Sequence, residues 1–171
     1  LLLQSPIHEY RSLALLILVN AMARADPTMQ KQIYGFYLAN TRFVNNWDLV
    51  DVSARDIVGT YLATRSRRPL YRLAHSASLW ERRIAIVATH HFIRQGDFAD
   101  TLKIAELLLD DREDLIHKAV GWMLREVGKR DQAAAEEFLR QHHPTIPRTA
   151  LRYAVERFPE AKRRAFLKGT V

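Results

Sequence analysis

In Glu113-Asp114-Leu115-Ile116-His117-Lys118-Ala119-Val120-Gly121-Trp122-Met123-Leu124-Arg125-Glu126-Val127-Gly128-Lys129, apolar residues return at steps of three and four: Leu115, Ile116, Ala119, Val120, Met123, Leu124 and Val127. That rhythm follows the turn of an α-helix and gathers these side chains into one wide stripe made for burial. Asp111 with Asp114 stands where a cap would satisfy the first free N–H groups. Trp122 lies off the stripe. It shares a face instead with Lys118, Arg125 and Lys129, at i−4, i+3 and i+7. An aromatic among cations suits DNA. A tryptophan packed across to a neighbouring helix, with the cations as an ordinary solvated face, gives the same pattern.

The same periodicity predicts helices on either side, over 7–20, 27–40, 47–64, 69–75, 79–95, 98–109, 131–142, 147–158 and 160–168. Proline stands at 6, 27, 69, 144, 147 and 159, where apolar-periodic segments start or stop, and no strand-like alternation persists. Tyr10-Arg11-Ser12-Leu13-Ala14-Leu15, Arg82-Arg83-Ile84-Ala85-Ile86, His117-Lys118-Ala119-Val120-Gly121 and Leu151-Arg152-Tyr153-Ala154-Val155 look alike, each a basic residue followed by small and branched apolar ones. Their basic positions fall one or two units of ~35 residues apart, the period of helix-pair solenoids. The expectation is therefore all-α, with repeats stacked side by side.

With 171 residues, 48% of them hydrophobic, the chain can bury one compact domain or a short helical array. A single domain over 1–171 is expected. The balance of 26 Lys and Arg against 19 Asp and Glu, a net charge of +7, favours an acidic polymer or surface as partner. There is no cysteine, which excludes a disulfide frame, a thiol nucleophile and cysteine-ligated metal, and fits a reducing compartment. Leu13–Val19 is apolar but far shorter than the ~20 residues that a membrane span needs. The chain reads as soluble and cytoplasmic, a monomer with no membrane partner. It starts at Leu1 without an initiator Met, which reads as a form shortened at its N-terminus.

Several residues have the chemistry for a site. In Asn45-Asn46-Trp47-Asp48-Leu49-Val50-Asp51, Trp47 and Asp51 stand four apart, on one face near a helix N-terminus where a carboxylate is favoured. The competing structural reading has Asp48 as a cap and Asp51 paired with Arg55 at i+4. In Leu79-Trp80-Glu81-Arg82-Arg83 the adjacent arginines suit a phosphate clamp, or a pairing with Glu81 and core-facing stems. Arg65, Arg67 and Arg68 offer a second phosphate contact. The adjacent pairs His90-His91 and His142-His143 point apart on a helix, and no HExxH or carboxylate triad accompanies them, so no metal is expected. GxGxxG, Walker, GxSxG and kinase motifs are absent, which removes the usual support for nucleotide-dependent and acyl-transfer enzymes.

Taken in order, Asn46-Trp47-Asp48-Leu49-Val50-Asp51, Leu79-Trp80-Glu81-Arg82-Arg83 and Lys118-Ala119-Val120-Gly121-Trp122-Met123-Leu124-Arg125-Glu126 resemble the AlkD family of DNA alkylation repair glycosylases. Pro147-Arg148-Thr149-Ala150-Leu151-Arg152-Tyr153-Ala154 resembles the family's closing segment, so the likeness spans almost the whole chain. It implies a curved, right-handed α-solenoid of HEAT-like antiparallel helix pairs, whose concave basic face holds duplex DNA containing alkylated purines. It also implies further helices before the segment that matches Leu1. On this resemblance Asp51 is the catalytic carboxylate, Trp47 and Trp122 flank the lesion's deoxyribose, and Arg83 holds a phosphate. Lys118, Arg125, Arg82 and Arg148 are then DNA contacts. The implied reaction is excision of N3- or N7-alkylated purines with no cofactor and no metal, on a lesion left in the duplex rather than flipped into a pocket. Two other classes share the architecture: a non-catalytic HEAT-like protein that binds unusual DNA structures, and a protein–protein scaffold.

Overall fold

The computed structural model describes residues 2–171, and the regular structure among the described residues is all helical, with no strand. They form two compact units, one ending at His91 and the other running Phe92–Val171.

The first unit begins with a 3-10 turn, Leu2–Gln4, and α1, His8–Arg24. The expected end at residue 20 falls short because Ala21, Met22 and Ala23 continue the helix until Asp26-Pro27 stops it. Asp26 caps α2, Pro27–Ala39, by accepting from the Met29 N–H at 2.8 Å, with Pro27 in the first turn where its missing donor costs nothing.

The predicted helix over 47–64 is corrected by the structure, which breaks it. Helix α3 spans only Trp47–Asp51, a turn follows at Val52 and Ser53, and a π-helical turn, Arg55–Gly59, leads into α4, Thr60–Leu62. Buried Ser53 competes for the backbone there: its hydroxyl donates to the Leu49 carbonyl at 2.6 Å. Helix α5 spans Arg68–Ala74 and α6 spans Leu79–Ala88. The predicted run over 79–95 is likewise interrupted at Thr89, whose hydroxyl donates to the Ile86 carbonyl at 2.6 Å. Helix α7, His90–Ile93, follows and carries the chain into the second unit.

The second unit contains α8, Ala99–Leu107; α9, Asp114–Gly128; α10, Gln132–His142; α11, Arg148–Ala154; and α12, Glu160–Lys168. The stripe on α9 is the core: Ile116, Ala119, Val120, Met123, Leu124 and Val127 are buried, with Leu115 at its margin. Helix α9 packs against α8, α10 and α11. The expected cap is corrected: Glu113 occupies the cap position without a side-chain bond, and Asp111 accepts from the Glu113 N–H at 3.0 Å one turn too early.

Two glycines set how closely helices approach. A Cβ on Gly121 would sit 2.6 Å from the Tyr153 Cβ and nearer still to the Ala150 carbonyl oxygen, so α9 and α11 touch backbone to backbone. Gly59 does the same in the first unit, where a Cβ would meet the Ala88 oxygen at 2.5 Å and the His91 Cβ at 2.6 Å. The sequence offset from glycine to alanine is identical in the two units. Because the obstacle is main chain, Gly121→Ala must separate the helices. We expect a loss of about 2–3 kcal/mol and a fall in Tm of roughly 5–10 °C. Thermal melting followed by circular dichroism checks this, and a Tm within a degree of wild type would refute the close approach.

Candidate active site of the first unit

The site is built on α3, one and a half turns long. Asn46 precedes it in extended conformation and accepts from the Trp47 N–H at 2.8 Å. Asn46 is therefore the capping residue, in correction of the alternative that gave that task to Asp48. Trp47 opens the helix with 52% of its surface exposed, while Leu49 and Val50 are fully buried and fix the helix to the core. The four-residue step then puts Asp51 on the same side as Trp47.

Asp51 does not pair with Arg55. The turn at Val52 and Ser53 takes Arg55 out of phase with α3, and Arg55 instead grips its neighbour Asp56 with Nε and one terminal nitrogen, at 2.8 and 2.6 Å. The partner of Asp51 comes from α6. Arg83 donates from Nε to Oδ1 at 2.9 Å and from a terminal nitrogen to Oδ2 at 2.8 Å, a two-pronged pairing. Arg83's side chain is 6% exposed and Asp51's 18%, so the guanidinium lies beneath the carboxylate and the carboxylate faces outward. Arg82 turns elsewhere: one terminal nitrogen donates to the Ser76 and Ala77 carbonyls, each at 2.9 Å. Glu81 accepts from Thr41 at 2.7 Å and from Ser76 at 2.5 Å, and so ties the start of α6 to the loop before α3.

Two supports of α3 come from residues that sequence reasoning did not single out. The Tyr37 hydroxyl meets the Ser53 hydroxyl at 3.0 Å under the end of the helix. Burial pushes the Tyr37 phenol well above its ordinary pKa, so it stays neutral there. On the other side, His8 of α1 reaches the outer oxygen of Asp48, Nε2 to Oδ2 at 2.6 Å, with Arg11 3.5 Å from its Nδ1. This contact pins α1 to the helix that carries Trp47. Both partners are about one-third exposed, so His8→Ala should cost about 1 kcal/mol and lower Tm by roughly 2–4 °C. An unshifted melting curve would show that the contact carries no net stability.

Trp122 belongs to the second unit, partly exposed on α9. The cations on its face are engaged. Lys118 meets Asp114 at 2.8 Å, and with Thr149 it holds the Asp114 carboxyl below its usual range. Arg125 is bonded to Glu156, and Lys129 to Glu126 at 2.6 Å. Arg148 is exposed and donates to the Leu167 carbonyl at 3.0 Å. Among the described residues no three His, Cys, Asp or Glu side chains gather in a way that could hold a metal ion, and no helix is long and apolar enough to cross a membrane.

The fold and site thus define an all-helical protein in which a carboxylate, held by a buried arginine, shares a short helix with a solvent-facing tryptophan. The chain belongs to the DNA alkylation repair enzyme family, whose model matches residues 1–158. A solved structure from Enterococcus faecalis, titled "Predicted DNA alkylation repair enzyme", superposes with a TM-score of 0.72 at 18% identity, over 93% of this chain and 73% of that one. It is alike in fold. No curated protein matches.

Proposed function

We propose that this protein is a monofunctional DNA glycosylase that excises positively charged N3- and N7-alkylated purines from duplex DNA. The observation that carries the reading is the Asp51–Arg83 pair on the same short helix as exposed Trp47. A carboxylate has about four lone-pair positions, and Arg83 engages two of them. The remainder are free to face a sugar. Alkylation makes the purine cationic, so it departs without a general acid: the electron pair of the C1′–N bond returns to the base and neutralises it. Positive charge grows on the sugar as that bond breaks. A fixed negative charge beside C1′ stabilises that transition state more than the ground state, in which the positive charge lies on the base and the sugar is neutral, and this difference is what accelerates the step. Water then adds to C1′ and gives up its proton, with Asp51 as the acceptor. The Trp47 ring offers an electron-rich face to the same charge, worth about 1–2 kcal/mol when water is excluded.

Trp122, with Lys118 and Arg125 on its face and Arg82 and Arg148 elsewhere, is assigned to the duplex by the same reading. The shared glycine-to-alanine offset supports HEAT-like helix pairing within each unit. The direct test is release of 7-methylguanine and 3-methyladenine from methylated duplex DNA. Excision by wild type and its loss in Asp51→Asn are expected; DNA binding without base release would favour the non-catalytic alternative.

A further inference from the structure

Between Asp56 and Glu81 the chain contains four arginines, at 65, 67, 68 and 72, and not one acidic residue. The structure gives this run a shape. Arg65 lies with its guanidinium 4.2 Å over the Tyr61 ring and donates to the Tyr61 carbonyl at 2.8 Å, so two contacts hold it in place. Tyr61 stacks on Tyr34, ring centroids 4.1 Å apart and 18° from parallel. Arg72 stands close enough to Tyr34 to lower its phenol pKa, against the larger opposing effect of burial. Arg68 and Arg72 lie four apart on α5 and therefore on one face. Arg65, Arg68 and Arg72 are all exposed.

Their electrostatic situation differs from that of the α9 face. Lys118, Arg125 and Lys129 each have a carboxylate partner, so binding a phosphate there must displace one. Among the described residues, Arg65, Arg68 and Arg72 have no carboxylate in ion-pair contact. Glu81 lines the same groove as Arg72 but is bonded to Thr41 and Ser76, so a phosphate bound here displaces no ion-pair partner. Arg65, already held against the Tyr61 ring, loses little further freedom when it takes a phosphate two-pronged.

We propose that Arg65, held on the Tyr34–Tyr61 stack, together with Arg68 and Arg72 of α5 forms an anchor for the phosphate backbone of duplex DNA, separate from the Asp51 site. The anchor rests on the reading of DNA as substrate and adds to it where the charge for sequence-independent binding resides. It carries no base information.

The test is the salt dependence of affinity for an undamaged duplex, measured by fluorescence anisotropy on the full chain. Each phosphate contact removed should flatten the log–log slope by about 0.9. For Arg65→Gln/Arg68→Gln/Arg72→Gln we expect a slope reduced by about 2–3 and at least a tenfold loss of affinity at low salt. Arg163→Gln/Arg164→Gln/Lys168→Gln on α12 removes the same charge elsewhere and should keep the wild-type slope. Circular dichroism checks that both triples fold; if the first does not, Arg68→Gln alone must lower the slope by about one. Equal slopes for wild type and the arginine variants would overturn the anchor alone. A wild type that binds no duplex would overturn the DNA reading with it, and a slope lost equally in both triples would show that net charge, not this cluster, is responsible. Variants that lose binding to phosphatidylserine vesicles but not to duplex would also overturn it.

Discussion

Asp51→Asn is expected to slow release of 7-methylguanine by about a hundred- to a thousandfold, the range seen when one preorganised charge-stabilising group is removed. That corresponds to about 3–4 kcal/mol of transition-state stabilisation. Asparagine keeps the size of the side chain and one oxygen for Arg83 but removes the counter-charge of a buried guanidinium, so urea unfolding of Asp51→Asn accompanies the assay and release is compared on folded protein. Affinity for undamaged duplex should stay within about threefold, because Asp51 repels phosphate rather than binding it. Single-turnover excision at saturating enzyme, beside binding measured by anisotropy, separates the two. Equal release by wild type and Asp51→Asn would remove Asp51 from the reaction.

Arg83→Ala carries the second large effect, and it is first a stability effect. Arg83 and Asp51 are both well shielded from solvent, at 6% and 18% side-chain exposure, so their attraction is weakly screened. Deleting the guanidinium leaves a carboxylate without its counter-charge, at a cost of about 3–5 kcal/mol. Urea unfolding should show this as a shifted midpoint. Arg83→Lys should fall between, since an ammonium restores charge but not the two-pronged geometry. In the double variant Asp51→Ala/Arg83→Ala the losses should be clearly less than additive, because neither charge is stranded. The resemblance assigns Arg83 a phosphate as well, which predicts weaker binding to any sequence and a shallower salt slope for Arg83→Ala. Unchanged affinity in a folded variant would leave Arg83 with the task of holding Asp51 alone.

The two effects are linked through α3. A helix of five residues cannot hold a reacting carboxylate by itself, since it makes almost no internal hydrogen bonds. Its rigidity is borrowed: Asn46 caps it, Leu49 and Val50 sink it, His8 and Arg83 grip its two carboxylates, and Tyr37 and Ser53 close it from below. Placement of Trp47 and Asp51 is thus a property of the first unit's packing.

The sequence by itself determined the helices whose signals are local. The stripe of α9, the Pro27 start of α2 and the boundaries of α10 and α12 are visible because periodicity and prolines act within a few residues. The pairing of Trp47 with Asp51 on one face was legible for the same reason, as was the basic character of Arg65, Arg67 and Arg68. What only the tertiary structure decided involves residues distant in the chain. Arg83 chooses Asp51 across 32 positions and His8 chooses Asp48 across 40, which no local rule specifies. The breaks at Ser53 and Thr89 arise where a hydroxyl takes a backbone carbonyl, although propensity would run the helix through. Gly59 and Gly121 each lie against another backbone, a requirement that no local pattern announces. The aromatic backing of Arg65 likewise depends on Tyr34, brought from α2 to Tyr61 by packing. Local hydrogen bonding and side-chain period write secondary structure into sequence; which charge meets which is settled when those helices bury their apolar faces together.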